Sequence, residues 1–246
     1  MESIIAGRRA VIEALKGGTR IEKILFLRGV KGKIVDVITS MAEHHRIQVD
    51  HVSKQQFRKL VSDTTTQGVV AVLQETKRYV GLDQVLDVAT ARSEKGFVLI
   101  LDEIEDPHNL GALVRTAECA GAHGVIVPKH HAAPVSTAVV KASAGATEHI
   151  AMAEVANIVT CIDELKARGF WIVGLDAAGE KLYTTVDYAT AIALVVGNEG
   201  KGIRRLVREH CDHLVKIPLY GKVGSLNASV AGALVMYEVA KQRRAY

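Results

Sequence analysis

The stretch VVGNEGKGI, residues 195–203, runs two small apolar residues into a turn of three glycines that carries Asn198, Glu199 and Lys201. Glycines around a lysine suggest a phosphate cradle, because bare backbone N–H groups can wrap an anion. The spacing speaks against both common cradles. A P-loop, GxxxxGK[ST], would need glycine at 195, where Val195 stands, and Ser or Thr at 202, where Gly202 stands. The dinucleotide fingerprint GxGxxG must follow the first strand of its unit directly. Here the strand candidate FVLIL (97–101) is followed by DEIEDPH and meets no glycine until Gly111. Gly197, Gly200 and Gly202 run GxxGxG, the wrong order. A backbone this bare after a strand therefore needs another explanation.

Short apolar runs recur along the chain with helical patterns between them. Phe97–Leu101, Gly124–Val127, Phe170–Gly174, Ala191–Val196 and His213–Ile217 are apolar enough for strands buried on both faces. Such runs imply an α/β fold around a mainly parallel sheet. Only 4 prolines and 4% aromatics argue against an all-β sandwich.

The N-terminal third alternates in the same way. Helices are predicted at Gly7–Lys16, stopping at Gly17-Gly18, and at Lys33–His44 and Lys54–Val61. Strands are predicted at Lys23–Leu27, Arg46–Val52 and Val69–Leu73. A polar segment with Leu82, Val85, Leu86 and Val88 at helical spacing follows. It reads as a linker holding a short helix. The division expected is a small α/β domain over 1–76, a linker over 77–96 and a larger domain over 97–246.

Charge is unevenly spread. Residues 1–80 carry 14 Lys and Arg against 8 Asp and Glu, while residues 81–246 carry 17 against 19. The basic excess lies wholly in the N-terminal third, which fits either a solvated surface or a polyanion partner such as nucleic acid. Hydrophobic residues make up 48% of the chain and charged residues 24%, ordinary for a globular protein with a real core. No apolar run reaches the roughly 18 residues a membrane span needs, and Met1–Arg9 lacks a signal-peptide core, so no membrane contact and a cytoplasmic location are expected. Cys119, Cys161 and Cys211 are scattered and form no CxxC pair, so they read as buried small hydrophobes. The histidines include adjacent pairs, His44-His45 and His130-His131, but no HxxxH, and no metal site is expected.

Three clusters at strand ends carry the polar residues. In DPHNLGALVRTAECAG (106–121), Pro107 should break regular structure and Asn109 suits a helix cap. Arg115, six residues on, tends to the other side of that helix and can be a merely solvated residue. The second cluster is VVGNEGKGI, in which Glu199 could accept from backbone N–H groups of its own turn. The third is IPLYGKVGSLNASVAGALVMYE (217–238), where a glycine loop reaches Ser225, Leu226 and Asn227 before a helix dense in small residues. A tight helix contact explains the small residues but not Ser225 and Asn227.

HNLGALVRTA, VVGNEGKGI and IPLYGKVGSLNASVA, in this order and spacing, resemble the three motifs of SpoU-type RNA ribose 2′-O-methyltransferases, of the knotted SPOUT superfamily. The likeness spans residues 97–242 and is to the branch that methylates a guanosine in the peptidyl-transferase P-loop of large-subunit (23S) ribosomal RNA. Gly224 stands where many relatives carry serine. The N-terminal third is similar to the small RNA-binding domain of that branch. The resemblance implies a C-terminal trefoil knot, a homodimer, an RNA substrate and S-adenosylmethionine as methyl donor. It implies that Gly197, Ile217 and Leu226 line the cofactor pocket, with Leu175, Asn198, Leu219 and Ser225 nearby. It implies Arg115 as the catalytic residue, with Asn109, Glu199, Ser225 and Asn227 orienting it and the ribose. A guanidinium is protonated at every accessible pH, so Arg115 as base competes with Arg115 as a clamp on RNA phosphate. The alternatives are a tRNA 2′-O-methyltransferase, a non-catalytic RNA-binding assembly factor, and a nucleotide-phosphate enzyme, which the failed glycine spacings disfavour.

Overall fold

The computed structural model describes residues 4–17, 19, 21–61, 66–73 and 79–244. The chain divides into two compact units, Met1–Lys77 and Arg78–Tyr246.

The first unit runs β1 (Ile4–Ala6), α1 (Arg8–Lys16), β2 (Ile21–Leu27), α2 (Lys33–His44), β3 (Gln48–Val52), α3 (Lys54–Leu60) and β4 (Val69–Leu73). Its sheet has the order β1-β4-β2-β3, with β2 and β3 parallel and the other pairs antiparallel. Val11 and Leu15 of α1 and Val35, Ile38 and Ala42 of α2 fall on single helical faces and bury against Ile24, Phe26, Val69 and Ala71. α3 begins with a capping box: Ser53 accepts from the Gln56 N–H at 3.3 Å, and the Gln56 side chain accepts from the Ser53 N–H at 3.1 Å. β1, three residues long, has too little pattern to be read from sequence. Gly18, half of the expected stop after α1, lies outside the described residues.

The second unit runs α4 (Leu82–Ala91), β5 (Phe97–Asp102), α5 (Pro107–Cys119), β6 (Gly124–Pro128), α6 (Thr137–Ala142), β7 (Ala151–Val155), α7 (Ile158–Ala167), β8 (Trp171–Leu175), β9 (Lys181–Leu182), β10 (Ile192–Gly197), α8 (Arg205–Glu209), β11 (His213–Lys216) and α9 (Ala228–Arg243). All its strand pairs are parallel, in the order β7-β6-β5-β10-β8-β11-β9. The central strands β5 and β10 are buried along their whole length, as their unbroken apolar runs demand. Edge strands β7 (AMAEV) and β9 (KL) lack such runs and were not legible. Among the described residues no helix is long and apolar enough to cross a membrane.

Four local expectations need correction. The segment read as a linker contains α4, whose Val85 and Leu86 are buried in the sheet core, so this helix belongs to the second unit; residues 74–78 lie outside the described residues. Pro107 starts a helix instead of breaking one, because the first helical position needs no N–H. The cap of α5 is Asp106, which accepts from the N–H groups of His108 and Asn109 at 3.3 and 3.1 Å; Asn109 stands inside the first turn. Cys119 is exposed, because the Leu110–Leu113–Val114–Ala117 face of α5 takes the core side. Cys161 is buried as expected but Cys211 only half-buried; burial pushes both thiols up to about 12, which leaves them unreactive.

The C-terminus is tied back across the sheet. Arg243 donates through Nε to the Tyr188 carbonyl at 2.8 Å and through its terminal nitrogens to the carbonyls of Lys95 at 2.7 Å, Gly96 at 3.0 Å and Thr190. One guanidinium thus satisfies carbonyls at the starts of both central strands.

His123 shares this end. It is buried, accepts at Nδ1 from the Phe97 N–H at 2.9 Å, and therefore carries its proton on Nε2, 2.9 Å from Glu94. Burial pushes the imidazole below its ordinary value, against the opposing pull of Glu94. As pH falls below about 6.5 the unfolded chain takes up this proton before the folded one does, so stability is lost downward from there. The urea midpoint is expected to be lower at about pH 5.5 than at about pH 7.5. That difference should shrink in His123→Asn, whose amide oxygen can still accept from Phe97 but does not titrate. An unchanged pH dependence in the variant would refute the assignment.

Candidate active site

The three polar clusters converge beyond the carboxyl ends of β5, β8 and β10, where ligands bind in open parallel sheets. β10 ends at Gly197, and the turn after it closes on itself. The Asn198 N–H donates to the Gly202 carbonyl at 3.1 Å, and the Gly202 N–H donates to the Asn198 carbonyl at 2.8 Å. The Asn198 side chain holds the interior: its Oδ1 accepts from the N–H groups of Gly200 (2.9 Å) and Lys201 (3.3 Å), and its Nδ2 donates to the Glu103 carbonyl at 3.0 Å. A Cβ on Gly197 would lie 2.3 Å from the Gly202 carbonyl carbon and 2.4 Å from the Ile203 nitrogen. Gly202 itself has φ +68, in the left-handed region. Here the glycines let the turn fold onto the strand end, and the N–H groups of Gly200, Lys201 and Gly202 are spent on Asn198.

The segment after the turn is pinned from below. Asp102, wholly buried at the end of β5, accepts from the Arg204 backbone N–H at 2.8 Å and from its guanidinium at 2.6 and 2.8 Å. The Asp102 carboxylate pushes the Arg204 guanidinium above its ordinary range.

Glu199 leaves the turn and meets Asn109. The Asn109 Nδ2 donates to Glu199 Oε1, while Asn109 Oδ1 accepts from Asn227 Nδ2 at 2.9 Å. A carboxylate can only accept, so Glu199 fixes which way the Asn109 amide faces, and this in turn fixes Asn227. Asn227 Oδ1 caps α9, accepting from the N–H groups of Ser229 (2.9 Å) and Val230 (3.3 Å). One hydrogen-bonded row, Asn227–Asn109–Glu199, therefore joins the start of α5, the turn after β10 and the start of α9.

Next to this row is a cavity. Leu175, Gly197, Asn198, Ile217, Leu219 and Leu226 line it, together with Glu199 and Ser225. Asp176 and Ala177, directly after β8, also line it and were not anticipated. Their position just past a parallel strand was the available signal. The small residues of α9 serve packing: a Cβ on Gly232 would come 2.7 Å from Leu113 of α5. Arg115 stands apart from the rest. It is exposed on α5, six residues and about 9 Å along the helix axis from Asn109, and it does not line the cavity. Among the described residues no group of His, Cys, Asp and Glu could hold a metal ion.

Comparison with known proteins identifies the family. The profile of the SpoU rRNA Methylase family matches residues 96–237, and that of the RNA 2′-O ribose methyltransferase substrate binding family matches residues 4–79. The chain is 44% identical over 97% of its length, and 95% of the relative's, to YacO of Bacillus subtilis (strain 168), provisionally named a TrmH family tRNA/rRNA methyltransferase. It is 41% identical to a protein of the same provisional name from Staphylococcus aureus (strain MSSA476), over 98% of this chain and 97% of that one. Among solved structures, the SpoU methyltransferase AviRb from Streptomyces viridochromogenes, in complex with AdoMet, superposes with a TM-score of 0.65 at 27% identity, covering 98% of this chain and 90% of the other. The chain belongs to the SpoU/TrmH family of RNA methyltransferases.

Proposed function

We propose that the protein methylates the ribose 2′-hydroxyl of one nucleotide, a guanosine of the 23S ribosomal RNA P-loop, with S-adenosylmethionine as donor and in the cytoplasm. The observation that carries this reading is the Asn227–Asn109–Glu199 row at the rim of an apolar cavity built on a glycine turn. The cavity fits the donor's chemistry. Leu175, Ile217 and Leu226 offer apolar walls for an adenine ring. Asp176 and Glu199 offer carboxylates to hydroxyl, ammonium or sulfonium groups. With the N–H groups of Gly200, Lys201 and Gly202 already engaged by Asn198, the turn has few left to cradle a phosphate.

When bound, the donor supplies an electrophilic methyl carbon on a sulfonium. The residues of the chain do the rest. Asn109 and Glu199, locked in one orientation, are placed to receive and align the attacking ribose. Ser225, in the cavity wall, and Asn227, bonded to Asn109, help to orient the ribose and Arg115. The 2′-oxygen forms the new bond to carbon as the carbon–sulfur bond breaks, and its proton must leave. Arg115, which stays protonated, assists as a clamp on the adjoining phosphate and steadies the oxygen as its proton passes to solvent; its exposure suits contact with RNA. We propose further that the segment following Ile217 is threaded as a trefoil knot, which would account for one loop reaching both the β10 turn and α5.

The active unit is proposed to be a homodimer. Val230, Leu234 and Tyr237 of α9 are 50, 40 and 50% exposed, and with Ala112 and Thr116 of α5 they make an apolar groove on the face opposite the core. A helix apolar on both sides calls for a second burial partner. Arg115, next to Thr116, adjoins this face. Val230→Asp with Leu234→Asp is expected to convert a dimer to a monomer by light scattering, with loss of activity; a variant that stays dimeric would refute the face.

The test of function is transfer of labelled methyl groups to 23S ribosomal RNA fragments and to tRNA, with sites mapped by resistance of the adjoining phosphodiester to alkali. Modification of the P-loop guanosine is the expected result. Modification of tRNA instead would support a tRNA 2′-O-methyltransferase. RNA binding with no transfer to either would support a non-catalytic assembly factor, and ATP binding in place of S-adenosylmethionine would overturn the reading altogether.

A further inference from the structure

We infer that the end of the N-terminal sheet bearing Arg8, Arg9, Arg28, Lys31, Lys33 and Lys54 is the surface that grips the phosphate backbone of the substrate RNA. The inference rests on the reading of the chain as an RNA methyltransferase and assigns a location within the first unit.

Topology does the sorting. β2 and β3 are parallel and finish together, with Leu27 opposite Val52. β4 begins at that end, with Val69 opposite Phe26, and β1 finishes there, with Ala6 opposite Val70. α1 and α3 start within a residue or two of these strand ends, and α2 starts after the short loop 28–32. Arg8 and Arg9 open α1, Arg28 and Lys31 lie between β2 and α2, Lys33 opens α2 and Lys54 opens α3. Six cations dispersed over 47 positions are thereby brought to one end of the unit. Backbone contacts draw the segments together: the Arg28 N–H donates to the Val52 carbonyl and the Leu27 N–H to the Gly68 carbonyl, both at 2.9 Å. Arg8 Nε donates to the Gln67 carbonyl at 3.2 Å.

Carboxylates are sorted the other way. Among the described residues of these loops and helix starts only Asp36, in the first turn of α2, is acidic, and Asp50, two residues before the end of β3, accepts from Gln48 Nε2 at 2.9 Å. The ion pairs Lys16–Glu13 and Lys23–Glu22 belong to the later part of α1 and the start of β2, towards the opposite end. Five of the six cations are exposed, Arg8 partly so. Distance decides which charges act together. The ends are separated by the length of β2, about 20 Å at roughly 3.3 Å per residue, or more than twice the Debye length of about 8 Å at physiological salt. Among the described residues, the six cations of this end therefore act together and largely apart from the charges at the other end. Ile34 and Val37, 42 and 48% exposed beside Lys33, add apolar surface on which a ribose or base can rest. A surface rich in cations that meet no carboxylate among the described residues, with so little apolar area, suits a polyanion better than a protein face.

The experiment is titration of a fluorescent P-loop hairpin RNA with the full-length protein at several salt concentrations. Arg28→Ala, Lys31→Ala and Lys33→Ala are combined in one variant, and Lys16→Ala and Lys23→Ala in a control. If each lost cation held a phosphate, the slope of log K against log salt becomes shallower by about 2 to 3, and affinity near physiological salt falls at least about tenfold. The control should keep the wild-type slope, and both should bind S-adenosylmethionine as the wild type does. A triple variant with wild-type affinity and slope overturns the inference, as does equal weakening of variant and control. Failure of the wild type itself to bind any RNA, with S-adenosylmethionine binding intact, would sink the RNA reading and this surface with it.

Discussion

Arg115→Ala is expected to lower methyl transfer by at least about 10³-fold while S-adenosylmethionine affinity stays within about twofold of wild type. The split follows from position. Arg115 is exposed on α5 and does not line the cavity that Gly197, Ile217 and Leu226 form, so its removal leaves the donor's walls untouched. What is lost is a positive charge on the proposed RNA side of the site, where it steadies a phosphate or the oxygen losing its proton. Arg115→Lys separates the two. A point charge can still attract a phosphate, so a clamp should recover part of the rate, whereas a role that needs the planar fork should not be rescued. Single-turnover rates with saturating RNA distinguish weak binding from slow chemistry. Retention of more than about a tenth of wild-type turnover by Arg115→Ala would remove the residue from the mechanism.

Gly197→Ala is expected to weaken S-adenosylmethionine binding by at least about 100-fold, or about 2.7 kcal/mol. The added methyl would sit 2.3–2.4 Å from backbone atoms of Gly202 and Ile203, and backbone cannot turn aside as a long side chain can. The turn would have to open. Opening it breaks the paired Asn198–Gly202 hydrogen bonds and shifts both Asn198 and Glu199 in the cavity wall. Gly221→Ala is the matched control, since a Cβ there meets nothing within 4 Å. Calorimetric titration of both variants reads the effect directly, and thermal melts report how much of it is folding. Equal, wild-type-like affinity in the two would mean that the cavity beside the turn does not hold the donor.

Much of the fold was legible because its signals are local. The runs FVLIL and AIALVV could only be strands covered on both faces, and they are the wholly buried β5 and β10 at the centre of the parallel sheet. α2 and β4 have the bounds their patterns predict. The failed P-loop and dinucleotide spacings also survive, because glycine order is a property of the chain alone. The residues expected around the donor are brought to one cavity, since they lie at strand ends or in the loops that follow them, and a parallel sheet collects such ends on one side.

Long-range pairing was not legible. Asn198 is held by a carbonyl 95 positions earlier, Asp102 by Arg204 at a separation of 102, Asn109 by Asn227 at 118, and Gly96 by Arg243 at 147. Asn109 looked like a cap because side-chain type and position suit one, yet Asp106 had already taken that role and left Asn109 to reach inward. The gathering of six cations at one end of the first sheet depends on which strands run parallel, a fact no window of residues contains. Periodicity and turn chemistry act over a few residues and can be read along the chain. Hydrogen-bond partners and charge clusters arise only when packing brings distant segments within a few ångströms, and in this protein that packing assembles the candidate site.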